Sequence, residues 1–123
     1  FRNKELITLE EEFKSVSNEL TITTDDGSYG IQGFAINELK KDCEKQQPDK
    51  IFACGPLPML KAVQSYANEN NIPCEISLEQ KMACGIGACL GCAVKTAKSP
   101  KEAPEYWHVC KAGPVFDATT VEI

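Results

Sequence analysis

The spacing of apolar residues along the chain changes near residue 80. Before that point, apolar positions recur at helical spacing in three stretches, which predict helices over residues 8–16, 33–41 and 57–71. Between them lie short alternating or mostly apolar runs, which predict strands over residues 19–24, 50–56 and 73–79. Helices that alternate with strands are typical of a parallel sheet with crossover helices. The first part of the chain is therefore predicted to be an α/β unit.

The first two helices carry signals for their ends and their faces. Thr8 and Glu11 stand in capping-box positions, so the first helix is predicted to start there. Its apolar residues at helical spacing are Leu9, Phe13 and Val16. The second helix is predicted to bury a stripe formed by Phe34, Ile36 and Leu39. The polar residues 42–50 that follow predict a surface connection.

The third helix and the segment after it complete the pattern. The helix is predicted to bury four apolar residues, Leu57, Leu60, Val63 and Ala67. From Met82 onward, short β-like pieces alternate with Gly and Pro turns, at residues 93–96, 106–110, 114–116 and 120–123. This change predicts a domain boundary that separates residues 1–79 from residues 80–123.

The start of the chain predicts a fragment. Phe1 stands directly ahead of a predicted helix, and only three strands are available to the parallel part. Such a small sheet exposes an edge with unpaired backbone groups. We expect a portion of a longer polypeptide that associates with itself through this edge or through swapped elements.

Composition and charge narrow the classes of function. Apolar residues make up 42% and charged residues 25% of the 123 residues, as in soluble globular proteins. The formal net charge of −5 argues against nucleic acid as a partner. No apolar run is long enough to span a bilayer and no signal peptide is visible, so we expect a cytoplasmic protein without membrane contact.

The seven cysteines are unevenly placed, and four of them form a pattern. Cys84, Cys89 and Cys92 have C-x4-C-x2-C spacing, and Cys110 follows after an interval of 17 residues. This is the plant-type [2Fe–2S] order. The glycines in the loop, Gly85, Gly87 and Gly91, let its backbone curl closely, so that successive amide N–H groups can point at sulfur.

Other readings of the cysteines have weaker support. Structural zinc usually takes two C-x2-C pairs or histidine partners, whereas this chain has one C-x2-C and one histidine, His108. Rieske centres need paired histidines. Disulfides are disfavoured in a reducing compartment. Cys43 and Cys74 are interpreted as partly buried small apolar residues. Zinc remains the alternative to iron and sulfide.

Two strand ends offer candidate cofactor contacts. Ligands of open α/β sheets bind at the carboxyl ends of strands. Cys54, Gly55 and Pro56 lie at the end of the strand over 50–56, and the segment 25–30 (DDGSYG) follows the strand before it. Either segment could equally be a plain turn. The chain contains no G-x-G-x-x-G, so a nucleotide-binding domain would lack its main phosphate loop.

Four segments resemble, in order, one known family. They are TDDGSYG…GF, CGPLPMLKAV, SLEQKMACGIGACLGCAVKT and VCKAGPVFDA. The family is the electron-transfer subunit of type B dihydroorotate dehydrogenase, a member of the ferredoxin-reductase-like flavoproteins. The resemblance implies a truncated parallel nucleotide-binding sheet (residues 1–79, part of an NAD-binding domain) followed by a small, mostly β [2Fe–2S] domain (residues 80–123).

The resemblance also implies the site residues. The cluster ligands would be Cys84, Cys89, Cys92 and Cys110. Residues near flavin and nicotinamide would be Cys54, Gly55 and Pro56, and those near the nucleotide would be Asp26, Gly27 and Ser28. The flavin barrel and the first βα unit of the family are missing, so this chain alone is expected to bind neither FAD nor NAD+ tightly.

The implied function is an electron relay in pyrimidine biosynthesis. Dihydroorotate would be oxidised at FMN in a separate catalytic subunit, and electrons would pass through the [2Fe–2S] cluster to FAD and NAD+. No residue of this chain would act as a catalytic acid or base. The alternatives are the small subunit of NADH-dependent ferredoxin:NADP+ oxidoreductase or a sulfide dehydrogenase relative, which tend to carry Asp where Cys84 stands, and a non-enzymatic zinc-binding interaction module.

Overall fold

The computed structural model describes all 123 residues, and its contacts divide the chain into two compact units. The first unit spans residues 1–47 and the second spans residues 48–123. Together they form a mixed α/β structure with small sheets. None of the helices combines the length and the apolar content needed to span a membrane.

The first unit contains two helices and a pair of short parallel strands. A 3₁₀ turn at Lys4–Leu6 precedes its regular elements, which are α1 (Glu10–Val16), β1 (Thr23–Thr24), β2 (Ile31–Gln32) and α2 (Ala35–Lys45). Strand β1 pairs with β2 in parallel, with Thr23 opposite Ile31. Thr24 is fully buried, and its hydroxyl donates to the carbonyl of Tyr29 at 2.7 Å. The predicted strand over 19–24 is therefore reduced to its last two residues.

The predicted capping box of the first helix is wrong. Leu9 precedes the helix in a left-handed conformation (φ 59°), and no side chain caps the first turn. The carboxylate of Glu10 instead accepts a hydrogen bond from Tyr29 Oη at 2.9 Å and forms an ion pair with Lys14 at 2.7 Å. Lys14 and Tyr29 lower the pKa of Glu10. Contacts made by the side chain of Glu10, the first residue of α1, therefore support the start of the helix, and the capping signature does not encode them.

The predicted core stripe of the second helix is also wrong. Phe34 is 68% exposed, and α2 contains no buried residue. The helix continues to Lys45, so the first residues of the predicted surface connection are helical. Ion pairs three residues apart, Lys41 with Glu38 at 2.6 Å and Lys45 with Asp42 at 2.8 Å, support this longer helix.

The second unit holds two three-stranded sheets. Its elements are β3 (Ile51–Cys54), α3 (Leu57–Glu69), β4 (Cys74–Ser77), β5 (Ala93–Thr96), β6 (Tyr106–His108), α4 (Val109–Ala112), β7 (Val115–Asp117) and β8 (Val121–Glu122). Strands β3 and β4 are parallel and joined by α3, as predicted, and β7 adds to β4 in antiparallel orientation. The other sheet is antiparallel, in the order β6-β5-β8.

The core of the second unit lies where α3 covers its first sheet. Three of the four predicted core positions of α3 are buried, namely Leu60, Val63 and Ala67. The fourth prediction is wrong, because Leu57 begins the helix and is 47% exposed. The amide of Gln64 donates to the carbonyls of Ala118 at 2.6 Å and Val121 at 2.8 Å, which ties α3 to the end of the chain.

Strand β7 connects the two halves that the sequence separated. Phe116 on β7 lies opposite Ile76 on β4, and both side chains are buried. The segment 106–110, predicted as β-like throughout, leaves the strand after His108 and continues as the one-turn helix α4. The predicted domain boundary near residue 80 stays a prediction. Strand β7, which follows this boundary, pairs with β4, which precedes it.

Gly30 and Gly27 test the backbone of the first unit as a matched pair. Both have positive φ, at 65° and 73°. A β-carbon on Gly30 would overlap the carbonyl oxygen of Ile22, whereas one on Gly27 would meet only the side chain of Gln32. We expect Gly27→Ala to lower the free energy of unfolding by about 1–2 kcal/mol, and Gly30→Ala by roughly 3 kcal/mol or more. Urea unfolding followed by circular dichroism measures both, and equal losses would contradict this account.

Candidate metal centre

Four cysteines lie on two segments of the second unit that are joined by a backbone hydrogen bond. Cys84, Cys89 and Cys92 belong to the cysteine loop, defined as residues 79–92, which joins β4 to β5. Cys110 lies in α4. The two segments meet at the backbone, because the N–H of Val109 donates to the carbonyl of Cys92 at 3.0 Å. Val109 is fully buried, so α4 is anchored where the cysteine loop ends.

Sulfur takes the role of a backbone acceptor in the cysteine loop. None of the N–H groups of residues 79–91 donates to a backbone carbonyl. Three of them donate instead to Sγ of Cys84, those of Ile86 at 3.5 Å, Ala88 at 3.3 Å and Cys89 at 3.3 Å. The N–H groups of Cys89 and Ile86, with smaller contributions from the Cys89 thiol and the Ala88 N–H, lower the pKa of Cys84 to about 6. Such donors stabilise a thiolate, which is the metal-binding form of cysteine.

The thiols interact in two pairs. Cys84 interacts with the Cys89 thiol. The backbone amide of Cys110, and then its thiol, lower the pKa of Cys92. The same thiol contact raises the pKa of Cys110, and the backbone amide of Gly87 acts in the opposite direction. All seven cysteines of the chain are free thiols.

Left-handed backbone lets the loop wrap around Cys84. Gly85 and Gly87 have φ values of 68° and 83°. Leu90 is also left-handed, at 61°, and this conformation has no glycine signal in the sequence. Residues 82–94 carry no charged side chain. Around the cysteines, Met82, Ile86 and Leu90 are exposed.

The thiol pairs do not form a single-ion site. No group of three or more His, Cys, Asp or Glu side chains converges on one metal-ion position. A tetrahedral zinc site requires all of its ligands around one ion. His108 is half-buried in β6, opposite Ala93.

The other predicted site residues lie elsewhere. Asp26 and Ser28 form a local turn in the first unit, where Asp26 Oδ1 accepts from the Ser28 N–H at 2.9 Å and its hydroxyl at 2.6 Å. Ser28 thereby lowers the pKa of Asp26. Gly27 between them has positive φ. This turn follows the carboxyl end of β1, as predicted.

The strand-end motif Cys54-Gly55-Pro56 lies in the second unit between β3 and α3. Cys54 is exposed, and Gly55 has a φ of 156°. A β-carbon on Gly55 would lie 2.5 Å from Cε of Met59, so the start of α3 closes against this turn. Of the predicted site residues, the four cysteines all belong to the second unit, while the two cofactor motifs belong to different units.

Sequence reasoning missed the partners of Cys84. Ile86 and Ala88 act through their backbone amides, so their side chains give no chemical signal. The positions of Gly85 and Gly87 were the available signal, because positive φ turns successive N–H groups to one side. Lys111, whose stem lies against Gly87, was also missed.

The sequence and the fold of the chain are both similar to those of known proteins. Residues 79–122 match the family described as the iron–sulfur cluster binding domain of dihydroorotate dehydrogenase B. The chain is 43% identical over 113 residues to the dihydroorotate dehydrogenase B (NAD(+)) electron transfer subunit of Caldanaerobacter subterraneus, across 92% of this chain and 44% of the relative. Identity to the subunit of the same name from Fusobacterium nucleatum is 42% over 125 residues, across 100% and 45%.

The fold of the chain is similar to that of a solved structure. The structure of an NADH-dependent reduced ferredoxin-NADP oxidoreductase, described in connection with flavin-based electron bifurcation, matches with a TM-score of 0.76 and 29% identity. The match covers 98% of this chain and 41% of the other. The chain thus spans less than half the length of the curated relatives quoted above and of this structure.

Amide hydrogen exchange tests the role of the Cys84 sulfur. In the metal-free chain, we expect Cys84→Ala to make the amides of Ile86, Ala88 and Cys89 exchange several-fold faster, because all three lose their acceptor. Cys89→Ala is the matched control, since its sulfur accepts none of these bonds. NMR-detected exchange gives the rates. Unchanged rates at Ala88 and Cys89 in Cys84→Ala would show that sulfur is not their acceptor.

Proposed function

The chain belongs to the family of dihydroorotate dehydrogenase B electron-transfer subunits, and we propose that it holds a [2Fe–2S] cluster through Cys84, Cys89, Cys92 and Cys110. The observation that carries the proposal is that the loop with Cys84, Cys89 and Cys92 is hydrogen-bonded at its end to the helix with Cys110, within residues 79–122, which match the iron–sulfur cluster binding domain. A [2Fe–2S] cluster has two irons, each of which takes two thiolates. The donor set therefore fits this group in number and chemistry.

The surrounding backbone supports the same assignment. When bound, the cluster carries one electron at a time. The three N–H groups on Cys84 stabilise negative charge on its sulfur, which favours the reduced state and raises the reduction potential. The positive φ of Gly85 and Gly87 keeps these donors on the inner side of the loop. The residues from 80 to 123 would thus form the plant-type-like cluster domain.

The proposed role is an electron relay from dihydroorotate to NAD+. A separate catalytic subunit would oxidise dihydroorotate at FMN, and electrons would pass through the cluster to FAD and then NAD+ within the longer protein. Residues 1–79 would contribute part of the NAD-binding domain. Its cofactor contacts would come from Asp26, Gly27 and Ser28 after β1, and from Cys54, Gly55 and Pro56 after β3, since both sets follow carboxyl ends of strands.

A second candidate role follows from the structural comparison. The match to an NADH-dependent reduced ferredoxin-NADP oxidoreductase covers nearly the whole chain, so the same fold serves a different electron donor. The four-thiol set and the curated relatives favour dihydroorotate. The two roles differ in the compound that reduces the metal centre, and this difference can be measured.

Metal and sulfide analysis tests the cluster. After anaerobic reconstitution with iron and sulfide, we expect about two irons and two labile sulfides per chain, with reddish-brown absorbance. Single Ser substitutions at Cys84, Cys89, Cys92 or Cys110 are expected to lose most of the iron, because each removes one of four ligands. Cys43→Ser is the matched control, since Cys43 lies in α2 of the first unit. One zinc per chain without visible colour would contradict the proposal.

Reduction by different donors tests the relay. We mix the reconstituted chain anaerobically with an FMN-containing dihydroorotate dehydrogenase catalytic subunit from one of the relatives and follow the visible absorbance. Dihydroorotate is expected to bleach it only when the catalytic subunit is present, because this chain supplies no group for dihydroorotate oxidation. NADPH with reduced ferredoxin is the comparison. Because NADPH is the reduced product of the ferredoxin-NADP oxidoreductase reaction, NADH and reduced ferredoxin are also added separately, and bleaching by NADH but none by dihydroorotate would favour the second role.

A further inference from the structure

Lys111 is the charged residue whose side chain lies against the cysteine loop. A β-carbon built on Gly87 would be 3.4 Å from Cδ of Lys111 and 3.9 Å from its Cβ. The methylene stem of Lys111 therefore lies beside the left-handed turn at Gly87, where an added β-carbon would touch it. At Gly85, two residues earlier, a β-carbon would meet nothing within 4 Å. One of the two left-handed glycines thus has a side chain beside it and the other is open.

The turn at Gly87 joins the two halves of the four-cysteine site. Gly87 belongs to the cysteine loop, while Lys111 follows Cys110 in α4. The backbone amide of Gly87 also acts on the Cys110 thiol. The stem of Lys111 and the Gly87 amide therefore connect the same two segments at adjacent points.

The cysteine loop has few other restraints at this point. Its N–H groups make no bond to a backbone carbonyl between residues 79 and 91, and its apolar side chains Met82, Ile86 and Leu90 are exposed. The stem of Lys111, an exposed residue, is thus one of the few side chains that lie beside the loop where it meets α4. Dispersion contacts of a methylene chain are individually small and add up along its length.

The ammonium of Lys111 is not engaged by the protein. Five lysines form ion pairs, namely Lys14, Lys41, Lys45, Lys50 and Lys95, and Lys111 is not among them. Lys111 is also not among the main causes of the pKa shifts of Cys84, Cys92 and Cys110. The contact that the structure shows is made by the stem and not by the charge.

We propose that Lys111 is a positioning residue for the metal centre, whose aliphatic stem holds the Gly87 turn of the cysteine loop against the helix that carries Cys110. This role rests on the proposed iron–sulfur function. By lying beside the turn, the stem restrains opening of the loop, and opening is the step by which a chelator gains access to the centre.

Chelator-driven iron release tests the proposal, with Lys111→Met as the matched control. Methionine keeps an unbranched apolar stem without the charge, whereas Lys111→Ala removes the stem. The reconstituted chains are mixed with a ferrous chelator and a reductant, and the loss of visible absorbance is timed. We expect release to be roughly tenfold faster in Lys111→Ala, as for other residues that support metal ligands, and close to wild type in Lys111→Met.

The possible outcomes are distinguishable. Equal release from the wild type and both variants would overturn the positioning role. Fast release from both variants would show that the charge of Lys111, and not its stem, slows release, and would overturn the proposal. A lower unfolding midpoint of the metal-free Lys111→Ala chain would assign the effect to general stability and overturn the proposal as well. A wild-type chain that retains no iron and sulfide would refute the proposed function itself, and the inference with it.

Discussion

The site depends on one set of hydrogen bonds. In these bonds, a cysteine sulfur replaces backbone carbonyls as the acceptor for N–H groups of the cysteine loop. A loop of this length would normally satisfy its N–H groups through turns or through solvent. Here three N–H groups from a short run of backbone converge on Sγ of Cys84, and the N–H groups of residues 79–91 make no bond to a backbone carbonyl. The same hydrogen bonds therefore determine both the conformation of the loop and the chemistry of its first cysteine. Changing the cysteine changes the loop.

The fourth cysteine is positioned by a different mechanism. Cys110 follows Val109, which is fully buried and whose N–H bonds to the carbonyl of Cys92. At the other end of α4, Gly113 has no room for a side chain, because the ring of Phe116 occupies that space. Phe116 in turn lies opposite Ile76 on the central strand of the sheet. The hydrophobic core thus fixes Cys110, whereas hydrogen bonds to sulfur organise the cysteine loop.

The elements that were predicted correctly are those with buried partners close along the chain. Strands β3 and β4 and the buried face of α3 were predicted because a βαβ unit packs its own helix on its own strands. The predictions failed in the first unit, where Phe34 is exposed and α1 starts without its capping box. In that unit, the apolar residues of the helices have no buried surface to pack against. Ion pairs such as Lys14 with Glu10 stabilise the helices instead. Helical periodicity indicates which face could be buried, but not whether it is.

By itself, the sequence determined the chemistry of the site. The spacing of Cys84, Cys89 and Cys92 and the glycines between them are local properties, and local geometry is enough to predict a loop that curls around sulfur. The tertiary structure decided that Cys110 interacts with Cys92, how β7 brings the end of the chain back to β4, and that Lys111 lies beside Gly87. Each of these is a contact between segments far apart in the chain. Such contacts depend on how the whole unit packs, which the spacing of residues does not specify.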